Sequence, residues 1–220
     1  MSYHVDYATE QDAVELGRIN YDSFQNRLVL PAMFPEADEP SLRTYKSFHA
    51  MKHLYTPETH VVKVTDNGVV VGYGRWYIPA ILGVTPNVPE LSQQGQIYAK
   101  DPVAFAPQPM NMKAFTGFKS ALEKGRKEHT TERDMMLDLL ATLPTYQGRG
   151  VGTAMLRWGI AQADALQARI YLEATPEGYP LYVKYGWKEV GEIEFDFDQL
   201  GYHGKENLIL MMRDPVPQRN

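Results

Sequence analysis

The sequence contains no cysteine. Disulfides, thiolate nucleophiles and cysteine-ligated zinc are therefore excluded. Long hydrophobic runs are missing too: no window approaches the ~18 consecutive apolar residues of a membrane span. The opening residues, MSYHVDYATEQD, are polar and carry no apolar signal segment, so a soluble, cytoplasmic protein with no membrane partner is expected. Positive charge is in short supply. Lysine and arginine number 22 against 27 aspartates and glutamates, a net charge of −5. That argues against a general nucleic-acid binder, which presents a basic face, but leaves room for a local basic pocket.

What is present suffices for a sizeable core: 44% of the 220 residues are hydrophobic. Neither an internal repeat nor a linker divides the chain, so one domain spanning 1–220 is expected.

Residues 3–8, YHVDYA, alternate weakly and predict a first strand. Thr9 and Asp12 stand as a capping pair before EQDAVELGRINYDSF, where Val14, Ile19 and Phe24 mark an amphipathic helix. PAMFPEADEP, residues 31–40, is expected to be a loop, and 41–55 returns to helical spacing. Residues 60–78 read as a hairpin about Asn67-Gly68, which supplies the positive φ angles of a tight turn. Pro79, Pro86, Pro89, Pro102, Pro107 and Pro109 predict a long loop over 79–110. Residues 112–130 read as a helix, 134–143 as a largely apolar strand containing Asp138, and 151–167 as a second long helix. A strand over 169–175, a short helix over 178–186 closed by Gly186, and strands over 187–197 and 206–214 complete the chain. The order predicts an α+β fold with a mostly antiparallel sheet.

Residues 143–156, LPTYQGRGVGTAML, join strand to helix through three glycines. Such a loop aims several backbone N–H groups and the positive end of a helix dipole at one point. Glycine lets a phosphate approach with no Cβ in the way. A P-loop is ruled out because Gly152 is followed by Thr153-Ala154, without the lysine. A dinucleotide fingerprint fails because the third glycine falls one place early. The bland alternative is a glycine turn that merely starts a helix.

The stretch Gln147-Gly148-Arg149-Gly150-Val151-Gly152 resembles Q/R-x-x-G-x-G/A, the acetyl-CoA pyrophosphate loop of the GNAT superfamily of N-acetyltransferases. LYVKYGWKEVG, residues 181–191, resembles the family's C-terminal signature of a tyrosine before a glycine-aromatic pair, and RIYLEATPEGYPLY is most similar to fungal members. The resemblance implies the GNAT fold, with helices on both faces of a mixed sheet and a splayed parallel pair formed by 134–143 and 169–175. It further implies acetyl-CoA as acyl donor and an amine that attacks the thioester directly; no metal is expected, and the long 79–110 insertion favours a small-molecule amine over a polypeptide. With no cysteine, transfer cannot pass through a cysteine acyl-enzyme.

Residue by residue, the resemblance gives Leu140, Ala141 and Thr142 backbone contacts to the pantetheine arm. It places Gln147, Gly148, Arg149, Gly150, Val151, Gly152 and Thr153 around the pyrophosphate. Tyr182 takes the place of the catalytic tyrosine, as general acid or sulfur contact. Asp138, charged within an apolar strand, is a candidate base or amine anchor, and Glu173 in IYLEAT competes with it. Phe34, Glu36, Asp38 and Glu39 are expected on the acceptor side, with 79–110 as a lid over the cleft. Other groups have plainer readings. His49 and His53 stand at i, i+4 without a third ligand; His203 lies in a loop that can approach the site. Lys119, Lys124, Arg126, Lys127 and Arg133 alternate with glutamates as a solvated helix face would. Two other functions compete: acetylation of a protein N-terminus or lysine, and a CoA-binding module without turnover.

Overall fold

A computed structural model describes residues 3–86 and 88–217. In chain order the elements are β1 (His4–Tyr7), α1 (Ala13–Phe24), α2 (Val29–Met33), α3 (Glu39–Tyr55), β2 (Thr59–Asp66) and β3 (Val69–Tyr77). There follow α4 (Gln93–Lys100), α5 (Met112–His129), β4 (Met135–Thr142) and α6 (Val151–Leu166). The chain closes with β5 (Ile170–Ala174), α7 (Tyr179–Lys184), β6 (Lys188–Asp196) and β7 (Lys205–Arg213).

The strands form one mixed sheet in the order β1-β2-β3-β4-β5-β7-β6. Every neighbouring pair is antiparallel except β4 and β5, which are parallel. The β2–β3 hairpin turns where Asn67 and Gly68 adopt φ of 49° and 80°. Asp12 Oδ2 accepts the Thr9 N–H at 2.7 Å, as the spacing of that pair anticipates.

Each face of the sheet has its own core. On one, α6 and α7 cover Trp76, Leu137, Ile170 and Leu172. On the other, Leu16 and Ile19 of α1 and Ala50 of α3 meet Val61, Tyr73 and Ala141. Gly159 of α6 is a necessity of this packing, since a Cβ there would stand 2.2 Å from the Trp76 ring. Truncating that fully buried indole to alanine would cost about 3–5 kcal/mol.

Proline proved a weaker helix breaker than the sequence suggests. Pro31 falls in the first turn of α2 and Pro40 in the first turn of α3, where the missing N–H is not needed. Residues 31–40 are therefore a helix end, a short turn and a helix start. Residues 79–110 likewise hold α4, capped by Ser92, whose side chain accepts the Gly95 N–H. β3 and β4 are adjacent antiparallel strands, so the whole of 78–134 is an excursion from the sheet. Its first half packs on α3, with Phe48 stacked on Tyr98 at 4.3 Å. Its second half, α5, returns to the sheet: a Cβ on Gly125 would meet Ile193, Leu210 and Tyr171 at 3.2 Å.

Candidate active site

β4 and β5 pair only through Met135–Ile170, Met136–Tyr171 and Leu137–Leu172. Beyond that point β4 stays with β3 and β5 stays with β7. A bulge assists the parting. Trp76 faces Leu137 and Arg75 faces Leu139, which leaves Asp138 as the extra residue that bends β4. Residues 138–142 consequently present an edge toward β5 with no strand on it.

The glycine loop stands at the end of that edge. Gly148 and Gly150 adopt φ of 72° and 90°, angles that a residue with a Cβ resists. From Gln147 to Gly150 the loop is exposed. The first amide of α6 to find a backbone carbonyl is that of Ala154, bonded to Gly150 at 3.0 Å. The N–H groups of residues 148–153 have no partner among the described residues. Arg149 lies over the Tyr146 ring at 5.2 Å. Of the residues expected to contact pantetheine, Thr142 has its carbonyl occupied, by Ser23 Oγ at 3.1 Å and Gln147 Nε2 at 3.4 Å.

Tyr182 sits on α7, 8% exposed, with its ring edge-on to Trp187 at 5.9 Å. Its hydroxyl bonds to nothing among the described residues. It is nonetheless not sealed from solvent, as the Tyr45 hydroxyl is. Burial pushes the Tyr182 phenol well above its ordinary pKa, so at neutral pH it holds its proton.

The two carboxylates that the sequence could not rank lie on either side of the point where the strands part. They share one cation. Arg126 of α5 donates Nε to Glu173 at 2.7 Å and Nη2 to Glu173 at 3.0 Å and to Asp138 at 2.7 Å. Arg75 holds the other oxygen of Asp138. Burial works to raise the pKa of Asp138, but Arg75 and Arg126 overcome it and hold the group well below the carboxylate range. A base so paired accepts protons poorly, and the expected role of Asp138 as base does not fit this geometry. Glu173 differs. Its side chain is 5% exposed, and burial, helped by the charge of Asp138, leaves its pKa raised although Arg126 lowers it.

Of the acidic loop, Asp38 and Glu39 are already employed, while Glu36 is exposed and makes no bond among the described residues. Asp38 accepts the Ser41 N–H at 2.9 Å as cap of α3, Glu39 pairs with Arg43 at 3.0 Å, and Phe34 is buried. His203 is exposed and bonds Asp198 at 2.7 Å. Lys119 and Lys124 form exposed i,i+4 pairs with Glu123 and Glu128, while Arg126 alone of that run turns inward. No cluster of three metal-binding side chains occurs among the described residues.

The model of the acetyltransferase (GNAT) family matches residues 22–187. The chain belongs to the GNAT acetyltransferase family. A protein described as an acetyltransferase from the fungus Stachybotrys chartarum is 23% identical over 195 residues, covering 84% of this chain and 80% of that one. Among solved structures, an acetyltransferase from Corynebacterium glutamicum described as histone acetyltransferase HPA2 and related is 21% identical, with a TM-score of 0.60 over all of both chains. An acetyltransferase from Thermus thermophilus is 15% identical, with a TM-score of 0.56 over 97% of each chain. The parted β4–β5 pair is thus the centre of a GNAT fold, and the chain is an N-acetyltransferase. No helix of the described residues is long and apolar enough to cross a membrane.

Proposed function

We propose that this GNAT enzyme uses acetyl-CoA to acetylate a small-molecule amine by direct attack in a ternary complex. The observation that carries the reading is the run of unpartnered amides at 148–153, set at the end of the strandless edge of β4. The amides and the α6 dipole suit a pyrophosphate, and the open edge suits an extended chain bearing its own amide groups. Leu140 and Ala141 offer backbone there; the Thr142 carbonyl would first have to release Ser23 or Gln147.

In this reading the acceptor nitrogen attacks the thioester carbonyl, and Glu173 takes the amine proton directly or through one water. The C–S bond breaks and the sulfur leaves with the electron pair. Tyr182 faces that sulfur with a phenol more weakly acidic than a thiol of pKa about 8.5. It therefore serves the leaving sulfur as a hydrogen-bond donor, and the proton that ends on CoA comes from elsewhere. Asp138 acts as the post to which Arg75 and Arg126 are fixed.

A small acceptor is favoured over a polypeptide because α5 brings Arg126 across the parting strands, narrowing that side of the cleft. The test is calorimetric titration with acetyl-CoA beside ATP, followed by a thiol-release assay over a library of small amines and lysine peptides. Micromolar acetyl-CoA binding and turnover of small amines are expected. Turnover of peptides alone would replace the acceptor, and binding without any turnover would favour a CoA-binding module.

A further inference from the structure

Lys46, His49 and His53 stand at i, i+3 and i+7 on α3, within an arc of about 60° of the helix. Apolar residues flank the arc. Tyr45 on one side joins the cluster of Phe34 and Ala106, and Ala50 and Leu54 on the other join the core under α1. A stripe between two apolar clusters would ordinarily be apolar as well. Instead it carries three polar groups, each half-buried, and none has a hydrogen-bond partner among the described residues. None is among the sealed side-chain atoms, so solvent reaches the stripe.

Ala50 and Leu54 pack with Tyr73 of β3 and Leu139 of β4, which sets α3 over the strands that carry Arg75 and Asp138. The charge of Arg75 acts on Lys46, His49 and His53, and Arg75 is bonded to Asp138. Asp138 in turn shares Arg126 with Glu173. A polar row thus runs from α3 across β3 and β4 to β5. Along it, Arg75 and Arg126 balance Asp138 and Glu173, and Lys46 is the cation left over. Burial first and Arg75 second push the Lys46 pKa down to about 8, which still leaves it charged at pH 7. The same causes, with Lys46 added, take His49 down to about 3, so it is neutral there.

Given the transferase reading, on which this assignment depends, we infer that the Lys46–His49–His53 stripe binds an anionic group of the acceptor, a carboxylate or a phosphate. The acceptor is then an amino acid or a phosphorylated amine, with its amine toward Glu173 and its anion toward α3. A simple diamine would set a positive charge against Lys46 and Arg75. Asp38 and Glu39 are committed to the cap and the Arg43 pair of α3, and Glu36 is exposed.

The experiment compares four amines under saturating acetyl-CoA: ethanolamine, O-phosphoethanolamine, β-alanine and diaminopropane. Thiol release gives kcat and KM, and calorimetry in the presence of CoA gives binding. At least one anionic amine should exceed ethanolamine in kcat/KM by about tenfold or more, the worth of one charge-assisted hydrogen bond. Whether phosphate or carboxylate gains more identifies the anion. Lys46→Met should erase the preference through KM, and Lys46→Arg should keep it. Acetyl-CoA titration of each variant checks that it is folded. A wild type that prefers ethanolamine or diaminopropane overturns the assignment, as does a preference that survives Lys46→Met. Acetyl-CoA bound while both anionic amines are neither bound nor acetylated also overturns it, leaving the transferase reading intact. Failure to bind acetyl-CoA would instead remove the transferase reading, and the acceptor assignment with it.

Discussion

At the scale of single residues, the site turns on which carboxylate can take a proton. Glu173→Gln should lower kcat by about a hundredfold or more, the usual worth of a general base, with KM little changed. The pH profile carries a sign. Below its raised pKa Glu173 is protonated and cannot accept, so kcat/KM should climb with pH through a value above that of an ordinary glutamate. Glu173→Gln should abolish that limb. Tyr182→Phe should lower kcat by about tenfold, as expected for one lost hydrogen bond to the leaving sulfur. Lys46 has a consequence for stability. Its folded pKa of about 8 lies below the unfolded value of about 10.4, so between those values the unfolded chain binds more protons and stability rises with pH. Below pH 8 the penalty of burying the charge is present in full. Lys46→Met should therefore stabilise the protein by about 1 kcal/mol at pH 7, read from denaturant melts, and the gain should shrink toward pH 10. Sequence pattern exposed Asp138 as a charge inside an apolar strand. Arg75, in VVVGYGRWY, shows the same pattern and was as legible. Which of the two carboxylates was free to react was not, because that depends on arginines from other elements.

At the scale of elements, the loop before α6 and the helix α5 carry the testable content. Gly150→Ala would force a side chain to φ of 90°, at a cost of about 1–2 kcal/mol. It should weaken acetyl-CoA binding by calorimetry more than it lowers the melting temperature of the free protein. Arg126→Met should destabilise the fold by about 3 kcal/mol, since it leaves Glu173 without its partner and Asp138 with one. It should also move the acid limb of kcat/KM to higher pH, because Arg126 is what lowers the Glu173 pKa. The strand, glycine loop and helix of 134–167 were readable because periodicity, turn chemistry and helix start agree there. The β2–β3 hairpin was readable for the same reason. α2 and α4 were not: prolines in or near a first turn look like breakers until the helix start is known. Arg126 was hidden among exposed lysines and glutamates, and only packing separates its inward face from theirs.

At the scale of the whole molecule, the site exists because two parallel strands separate after three residue pairs and the gap is braced rather than closed. The brace is an arginine from a segment inserted between two neighbouring strands, so catalysis and the folding of 78–134 are coupled. Nothing local in the sequence announces the parting; its place followed from the family resemblance, and the structure gives it a physical cause in the bulge at Asp138. The most direct measurement is nuclear magnetic resonance of nitrogen-labelled protein titrated with acetyl-CoA. Shifts should concentrate in the amides of residues 148–153 and along the open edge of β4 at 138–142. Binding that perturbs amides elsewhere, or no binding, would contradict the claim that this gap holds acetyl-CoA.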